Sequence, residues 1–317
     1  TPAEEIVIIR NERYHLGAPK LEEVVFELSG GSLSTRYEND ELHISVVPGV
    51  EIEAVKDGSS PLADDYRPQP RMTTSYFAFN VKKAPFDDPK VRQAMAMAID
   101  REAVNKVLLF GTQRVADGIL PPEMPGYTES VTSYAFDAEK AKQTLAESRY
   151  ASTMPRIILT YAGTGGDAPD ILQAIADMWQ QNLGIQVELQ ASEYSAYLRE
   201  LRRGTFQMYS AGWAADYPDP EDFLDKLFHS ESAQNEQGYS DPEVDRLLEE
   251  ARSEPDFERR RQIYAEAEQK ILDDAIIIPD FWIVEHLLVK PCVQNWPTLS
   301  MSVPKYRYLE IDPSKAD

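Results

Sequence analysis

A chain of 317 residues, 42% hydrophobic and 27% charged, has ordinary globular composition and enough length for about two domains. Its net charge of −22 and pI near 4.6 argue against nucleic-acid and anionic-membrane partners, both of which reward Lys and Arg. A single cysteine, Cys292, rules out an intrachain disulfide, and no apolar run reaches the ~18 residues that suggest a membrane span.

The opening "TPAEEIVIIR" reaches a strand-like run within its first residues and looks like the cut end of a longer chain. An absent targeting segment is therefore uninformative. Up to about residue 72 the chain reads as short strands and loops: "EIVIIR", "LEEVVFEL" and "ELHISVVP". The proline-rich "YRPQPRM" (66–72) reads as a linker and a domain junction, and "TSYFAFNV" as a strand. Next comes a helix with Asp88 at its N-cap and Pro89 in its first turn. Val91, Ala94, Met95, Ala98, Ile99, Val107 and Leu108 recur at helical spacing, and Gly111 ends it. Residues 117–127 read as a loop, and a short helix is expected near Ala138–Glu147.

From Arg156 the pattern alternates. "RIILTYA", "IQVELQ" and "FQMYSAGW" read as strands, separated by the helical "APDILQAIADMWQQNLG" and "EYSAYLRELRRG". This rhythm predicts crossover units and a partly parallel α/β sheet. Ser240 and Glu243 form a capping box for a helix carrying Val244, Leu247, Leu248 and Ala251. Another helix carries Phe257, Tyr264, Ala267 and Ile271, and "IIIPDFWIVEHLLV" returns to strand.

Three sequence features invite chemistry. Gly163, Gly165 and Ala168 fit the G-x-G-x-x-A variant of a dinucleotide fingerprint between a strand and a helix, with Glu188 as the ribose-binding acid. The competing reading is a flexible glycine loop, and Asp167 would place a carboxylate where phosphate approaches. Asp216, Asp219, Asp222 and Asp225 lack the spacing of an EF-hand. Asp219, Glu221 and Asp222 read instead as capping and first-turn acids of the helix around Phe223–Phe228. His15, His43, His229 and His286 form no zinc or hydrolase motif, so no metal, cofactor or catalytic residue is assigned. The third feature is Asp216 itself, just past the carboxyl end of a strand and beside Trp213 and Tyr217. Ligands bind at that end of α/β sheets. An acid desolvated there needs a cation, which an incoming ammonium can supply. Equally, Asp216 can cap a turn or pair with an internal Arg.

Residues 76–111, "YFAFNVKKAPFDDPKVRQAMAMAIDREAVNKVLLFG", resemble the family 5 solute-binding proteins of ABC importers, the oligopeptide- and dipeptide-binding group. Asn80, Pro85, Phe86, Asp88, Val91, Arg92, Ala94, Ala98, Asp100 and Arg101 carry the match. So do "RNERYHLGAPKLEEVVFEL", "LPPEMPGY", "NLGIQVELQ", "GWAADYPDP", "YSDPEVDRLLEEA" and "RRQIYAEAEQKILDDAIIIP". The resemblance implies a type II periplasmic-binding-protein fold, with two α/β lobes closing over a solute and hinge strands near Ser75 and Ile283. Residues 1–73 and 285–317 would be the remnant of an incomplete first lobe, with the family's small extra domain missing. Residues 74–284 would be the second, ligand-binding lobe. It further implies a peptide or similar small solute, a membrane permease partner, and a periplasmic or extracellular location with a lipoprotein anchor in the full-length form. Asp216 would meet a peptide's α-amino group. Ser210, Gly212, Trp213 and Ala214, with Tyr217, would line the site and offer backbone groups to an extended ligand. Ser210 stands where some oligopeptide binders carry an Arg toward the ligand's far end. Members also carry dipeptides, nickel complexes, opines and sugars. The rival readings are a regulator's sensing domain and a nucleotide-dependent enzyme using the Gly163 loop.

Overall fold

The computed structural model describes residues 4–297, 300–301 and 306–315. In chain order the elements begin with β1 (Glu5–Ile9), β2 (Glu23–Glu27), α1 (Leu33–Glu38), β3 (Ile44–Val46), α2 (Ile52–Lys56) and β4 (Tyr66–Phe79). They continue with α3 (Pro89–Met97), α4 (Arg101–Leu108), β5 (Arg114–Val115), α5 (Ala138–Ala146), β6 (Ile157–Ala162) and α6 (Asp170–Leu183). Then come β7 (Val187–Ser192), α7 (Tyr194–Arg202), β8 (Met208–Ala214), α8 (Glu221–Phe228), α9 (Pro242–Ser253) and α10 (Phe257–Asp273). The chain closes with β9 (Ile277–Val289), β10 (Val293–Gln294) and β11 (Glu310–Ile311).

The chain divides into two compact units, Thr1–Arg71 with Val284–Asp317, and Met72–Ile283. In the first, β1 and β2 form an antiparallel pair, and β3 pairs with the far end of β9, Ile44 opposite Val289. Tyr37, Val47, Ile52, Val55, Leu62 and Leu288 make its small core.

In the second unit the strand order is β9–β4–β8–β6–β7, with β5 on β9. β6 runs parallel to β7 and β8, while β4 and β8 are antiparallel. Side-chain alternation along β4 gives the sheet two buried faces. Tyr76 and Ala78 join one core with Phe223, Leu248 and Tyr264, which lie on α8, α9 and α10. Phe77 and Phe79 join the other with Val91, Met95 and Trp179, on α3 and α6. Trp179 packs edge-on against Phe77 and donates its indole N–H to the Met95 carbonyl at 2.9 Å, so its polar atom is satisfied inside the core.

Three local expectations need correction. Residues 66–72 are not a linker but the first half of β4, despite Pro68 and Pro70. The reason lies in the register. Asn80 donates to Gln207 and Ala215 donates to Met72, so even-numbered residues of β4 turn their backbone groups toward β8. The β8 pairing reaches only to Thr73 opposite Ala214, with the Met72 bond just beyond it. The N–H groups the prolines lack therefore face a flank where β8 needs none.

The single helix expected from Pro89 to Gly111 is two. Asp100 accepts a hydrogen bond from the Ala103 amide at 2.9 Å and starts α4, so an acid inside an otherwise periodic stretch acts as a second N-cap. Likewise α9 is capped by Asp241, not Ser240. Asp241 accepts from the Glu243 and Val244 amides at 2.7 and 3.2 Å.

The charged residues of the 76–111 motif serve the fold. Asp88 caps α3 and also accepts the Arg149 amide at 2.7 Å. The buried Arg92 guanidinium binds the Phe86 and Asp274 carbonyls. Arg101, also buried, binds those of Ala116, Pro279 and Tyr134. Arg92 thereby ties α3 to two other stretches of chain and Arg101 ties α4 to three, each through backbone carbonyls.

Candidate ligand-binding site

The carboxyl ends of the parallel strands β6, β7 and β8 lie together, because Ala162 is in register with Ser192 and Thr160 with Tyr209. β6 pairs with β8 only at Met208 and Tyr209. In β8 the odd-numbered residues bond to β4, so Ser210, Gly212 and Ala214 turn their N–H and C=O groups to the opposite flank. There the Ser210 carbonyl accepts the Tyr197 hydroxyl at 2.8 Å. Beyond it, no strand pairs with Gly212 or Ala214 on that side among the described residues. Next to this flank lies a hollow of ≈ 500 Å³, whose walls include Ser210, Gly212, Trp213, Tyr197 and Ala162.

The structure brings Ser210, Gly212 and Trp213 onto one hollow and places Ala214 exposed at the end of β8. Asp216 and Tyr217 stand in the following turn. The sequence leaves Asp216 open between a desolvated acid awaiting an ammonium and an acid already partnered inside the protein, and the structure gives it an internal partner, a Lys rather than an Arg. The Asp216 side chain is 66% exposed and accepts a hydrogen bond from the Lys226 ammonium at 2.9 Å. The buried acid is Asp222, at 0% exposure. Asp222 accepts the Asp216 amide at 2.8 Å, the Trp213 indole N–H at 3.3 Å, and the Lys226 ammonium. Burial pulls the Lys226 ammonium toward neutrality, but hydrogen bonds to Asp222 and Asp216 outweigh it and raise its pKa. The same ammonium lies 4.7 Å from the Tyr217 ring centroid.

Asp222 is thus not merely a first-turn acid. It holds the strand end, the turn and α8 together. The spacing of Asp222 and Lys226, four residues apart on a helix, is the sequence signal that could have revealed it. Burial first, then the hydrogen bond to Glu221, pushes the Tyr217 hydroxyl up to about 12.

The other acids of this stretch have partners too. Asp219 makes a two-pronged pair with Arg260 at 2.7 Å on each prong, and it also accepts the Glu221 amide at the entrance to α8. Asp225 binds Arg252 and, at 3.3 Å, the Tyr264 hydroxyl. No cluster of His, Cys, Asp and Glu suited to a metal ion exists among the described residues.

The dinucleotide reading fails on geometry. Gly163 and Gly165 lie at the carboxyl end of β6, whereas Glu188 is opposite Ile158, four steps back along the strand pair, or ~13 Å. Its carboxylate is bound by Arg156. A ribose-binding acid belongs at the same strand end as the glycine loop. Gly165 and Gly166 have φ of +92° and +91°, so backbone conformation alone accounts for both.

Comparison with known proteins places the chain. The sequence profile of the bacterial extracellular solute-binding proteins, family 5 Middle, matches residues 1–235. The periplasmic oligopeptide-binding protein OppA of Salmonella typhimurium is 31% identical over 306 residues, covering 92% of this chain and 55% of that protein. The structure of the Escherichia coli murein tripeptide binding protein MppA superimposes with a TM-score of 0.82 at 25% identity, over 98% of this chain and 62% of that one. Haemophilus influenzae OppA in complex with the peptide RPPGFSPFR gives 0.80 at 26% identity, over 98% and 62%. The chain spans about half the length of the curated relatives it matches. Its α/β architecture is that of the type II periplasmic solute-binding proteins. The chain belongs to the bacterial extracellular solute-binding proteins of family 5.

Proposed function

We propose that this chain is the ligand-binding part of a solute-binding protein that captures a peptide in the periplasm or outside the cell and delivers it to an ABC permease. The observation that carries the proposal is the flank of β8 beyond Tyr209. Gly212 and Ala214 offer backbone donors and acceptors there at the carboxyl end of the sheet, and an extended peptide can add to them as a strand. The relatives' names give an oligopeptide or a murein tripeptide as the first solute to test. Residues 74–284 are read as the ligand-binding lobe, and 1–73 with 285–317 as part of another. The role is non-catalytic: solute shifts a conformational equilibrium and no bond is broken. The relatives lend no support to a sensing domain or a nucleotide enzyme.

Asp216 keeps a place in this reading, on altered terms. Lys226 occupies its Oδ2, and the exposed carboxylate retains acceptor capacity at Oδ1 for a peptide ammonium. The test is calorimetry on the intact protein with tri- and tetrapeptides, free and N-acetylated. Asp216→Ala should weaken the free peptides by at most about 1 kcal/mol and leave the acetylated ones unchanged. An absence of saturable peptide binding would refute the proposal.

A further inference from the structure

The hollow beside β8 holds one charged group that the reading above leaves unused. Glu236 lines it together with Tyr76, Tyr194, Tyr197 and Trp213. Among the described residues no salt bridge reaches Glu236. Burial is the main influence on its carboxyl and raises its pKa, opposed only by its own backbone amide and, through space, by Arg202. Tyr76 and Tyr209 are buried nearby; burial raises both phenols, followed by the charge of Glu236 at Tyr76 and by Tyr76 and then Glu236 at Tyr209. The Tyr209 oxygen has no hydrogen-bond partner among the described residues. The result is a half-buried carboxylate in an aromatic wall, next to the strand flank where a ligand backbone would lie.

Arg202 also lines the hollow, so the sign of the preferred ligand charge has to be decided. Arg202 is exposed at the end of α7, and a water-screened guanidinium gains little from an anion. Glu236 is half-buried and has no cation in contact among the described residues, so it gains much more from one. The rings add to this, because aromatic faces attract ammonium and guanidinium groups and repel carboxylates.

We infer that this hollow is a side-chain pocket selecting a basic residue, Lys or Arg, of the bound peptide, with Glu236 as its specificity-determining residue and Tyr76, Tyr194, Tyr197 and Trp213 as its walls. The inference rests on the peptide-binding reading and adds the class of side chain. Glu236 lies outside the Asp222–Lys226 cluster, so its substitution leaves the turn after β8 intact.

The experiment is calorimetry on the intact protein with an alanine tripeptide frame carrying Lys, Arg, Leu or Glu at each position in turn. At one position Lys and Arg should bind about tenfold tighter than Leu, with Glu weakest. Glu236→Gln should bring the Lys-to-Leu ratio close to one while the Leu peptides keep their affinity, and Glu236→Lys should favour the Glu peptide. Thermal melting of both variants checks that they fold. If peptides bind without a basic preference, or Glu236→Gln retains it, the pocket assignment falls alone. If no peptide binds, the peptide reading falls and takes the pocket with it.

Discussion

Two carboxylates flank β8, and they are treated in opposite ways. In the turn after the strand, Asp222 is fully buried but receives an ammonium, an indole N–H and a backbone amide. In the hollow beside the strand, Glu236 is half-buried and, among the described residues, has no cation in contact. The first arrangement is complete without any ligand and makes a rigid corner. The second is incomplete, and that is the physical mark of a group kept for something from outside. Burial alone does not distinguish structural from binding acids; whether the partner is already present does.

The largest expected effect breaks the first half of this contrast. Lys226→Ala strands the Asp222 charge inside the protein and should cost about 4 kcal/mol in urea unfolding. Adding Asp222→Asn to that variant, which removes the charge but keeps an acceptor for the Trp213 and Asp216 N–H groups, should recover most of the loss. A Lys226→Ala cost below about 1 kcal/mol would mean that Asp222 is not held by the ammonium.

Next in size is Glu268, a buried acid held by amides and, among the described residues, by no cation. It accepts the Ile119 and Leu120 amides at 2.6 and 3.0 Å. Burial, against the pull of those amides, pushes its carboxyl up to about 7. The folded state thus holds this proton more tightly than the unfolded chain, whose carboxyl titrates near ~4.3. The stability it contributes is full below that value and is lost as pH rises through about 7. Glu268→Gln keeps an acceptor for both amides and removes the titration. It should match the parent protein at pH ~4 and exceed it by about 3 kcal/mol at pH ~8. Asp280, also pushed up to about 7 by burial against the opposing Arg101, should leave a residual slope. Identical pH–stability curves for the parent and the Gln variant would remove Glu268 from this account.

The smallest effect sharpens the contrast at the surface, where a carboxylate serves amides in water. Asp241→Ala should cost about 1 kcal/mol and Ser240→Ala almost nothing, read by thermal melting. The reverse order would restore the capping box suggested by the sequence.

Most elements from Arg156 onward were legible because their periods are clean. Ile157, Leu159 and Tyr161 alternate, and Leu172, Ile175 and Trp179 recur along one helix face. Where the reading slipped, a local rule met a tertiary one. Prolines normally punctuate, but Pro68 and Pro70 face a flank with no ladder to break among the described residues. Apolar spacing ran through Ala98 and Ile99, although Asp100 stops one helix and starts another.

The site was partly legible for a related reason. The family resemblance singled out Ser210, Gly212 and Trp213, and the fold places these three on one hollow. The sequence could not tell Asp216 from Asp222, because which carboxylate faces inward depends on how α8 packs. Glu236 carried no local signal at all. It sits in a loop between α8 and α9, and only the fold brings it beside Tyr76 of β4 and Tyr197 of α7.

The prolines of β4 have a consequence beyond permitting the strand. An open β edge is a template on which other chains nucleate, through donors that point outward in a row. Along residues 66–71 on the β8 side, where no strand pairs among the described residues, two successive outward positions are Pro68 and Pro70, and neither has a donor to give. The stretch is thereby guarded against self-association. Replacing both with valine would leave the strand in place and turn a silent border into an aggregation hazard.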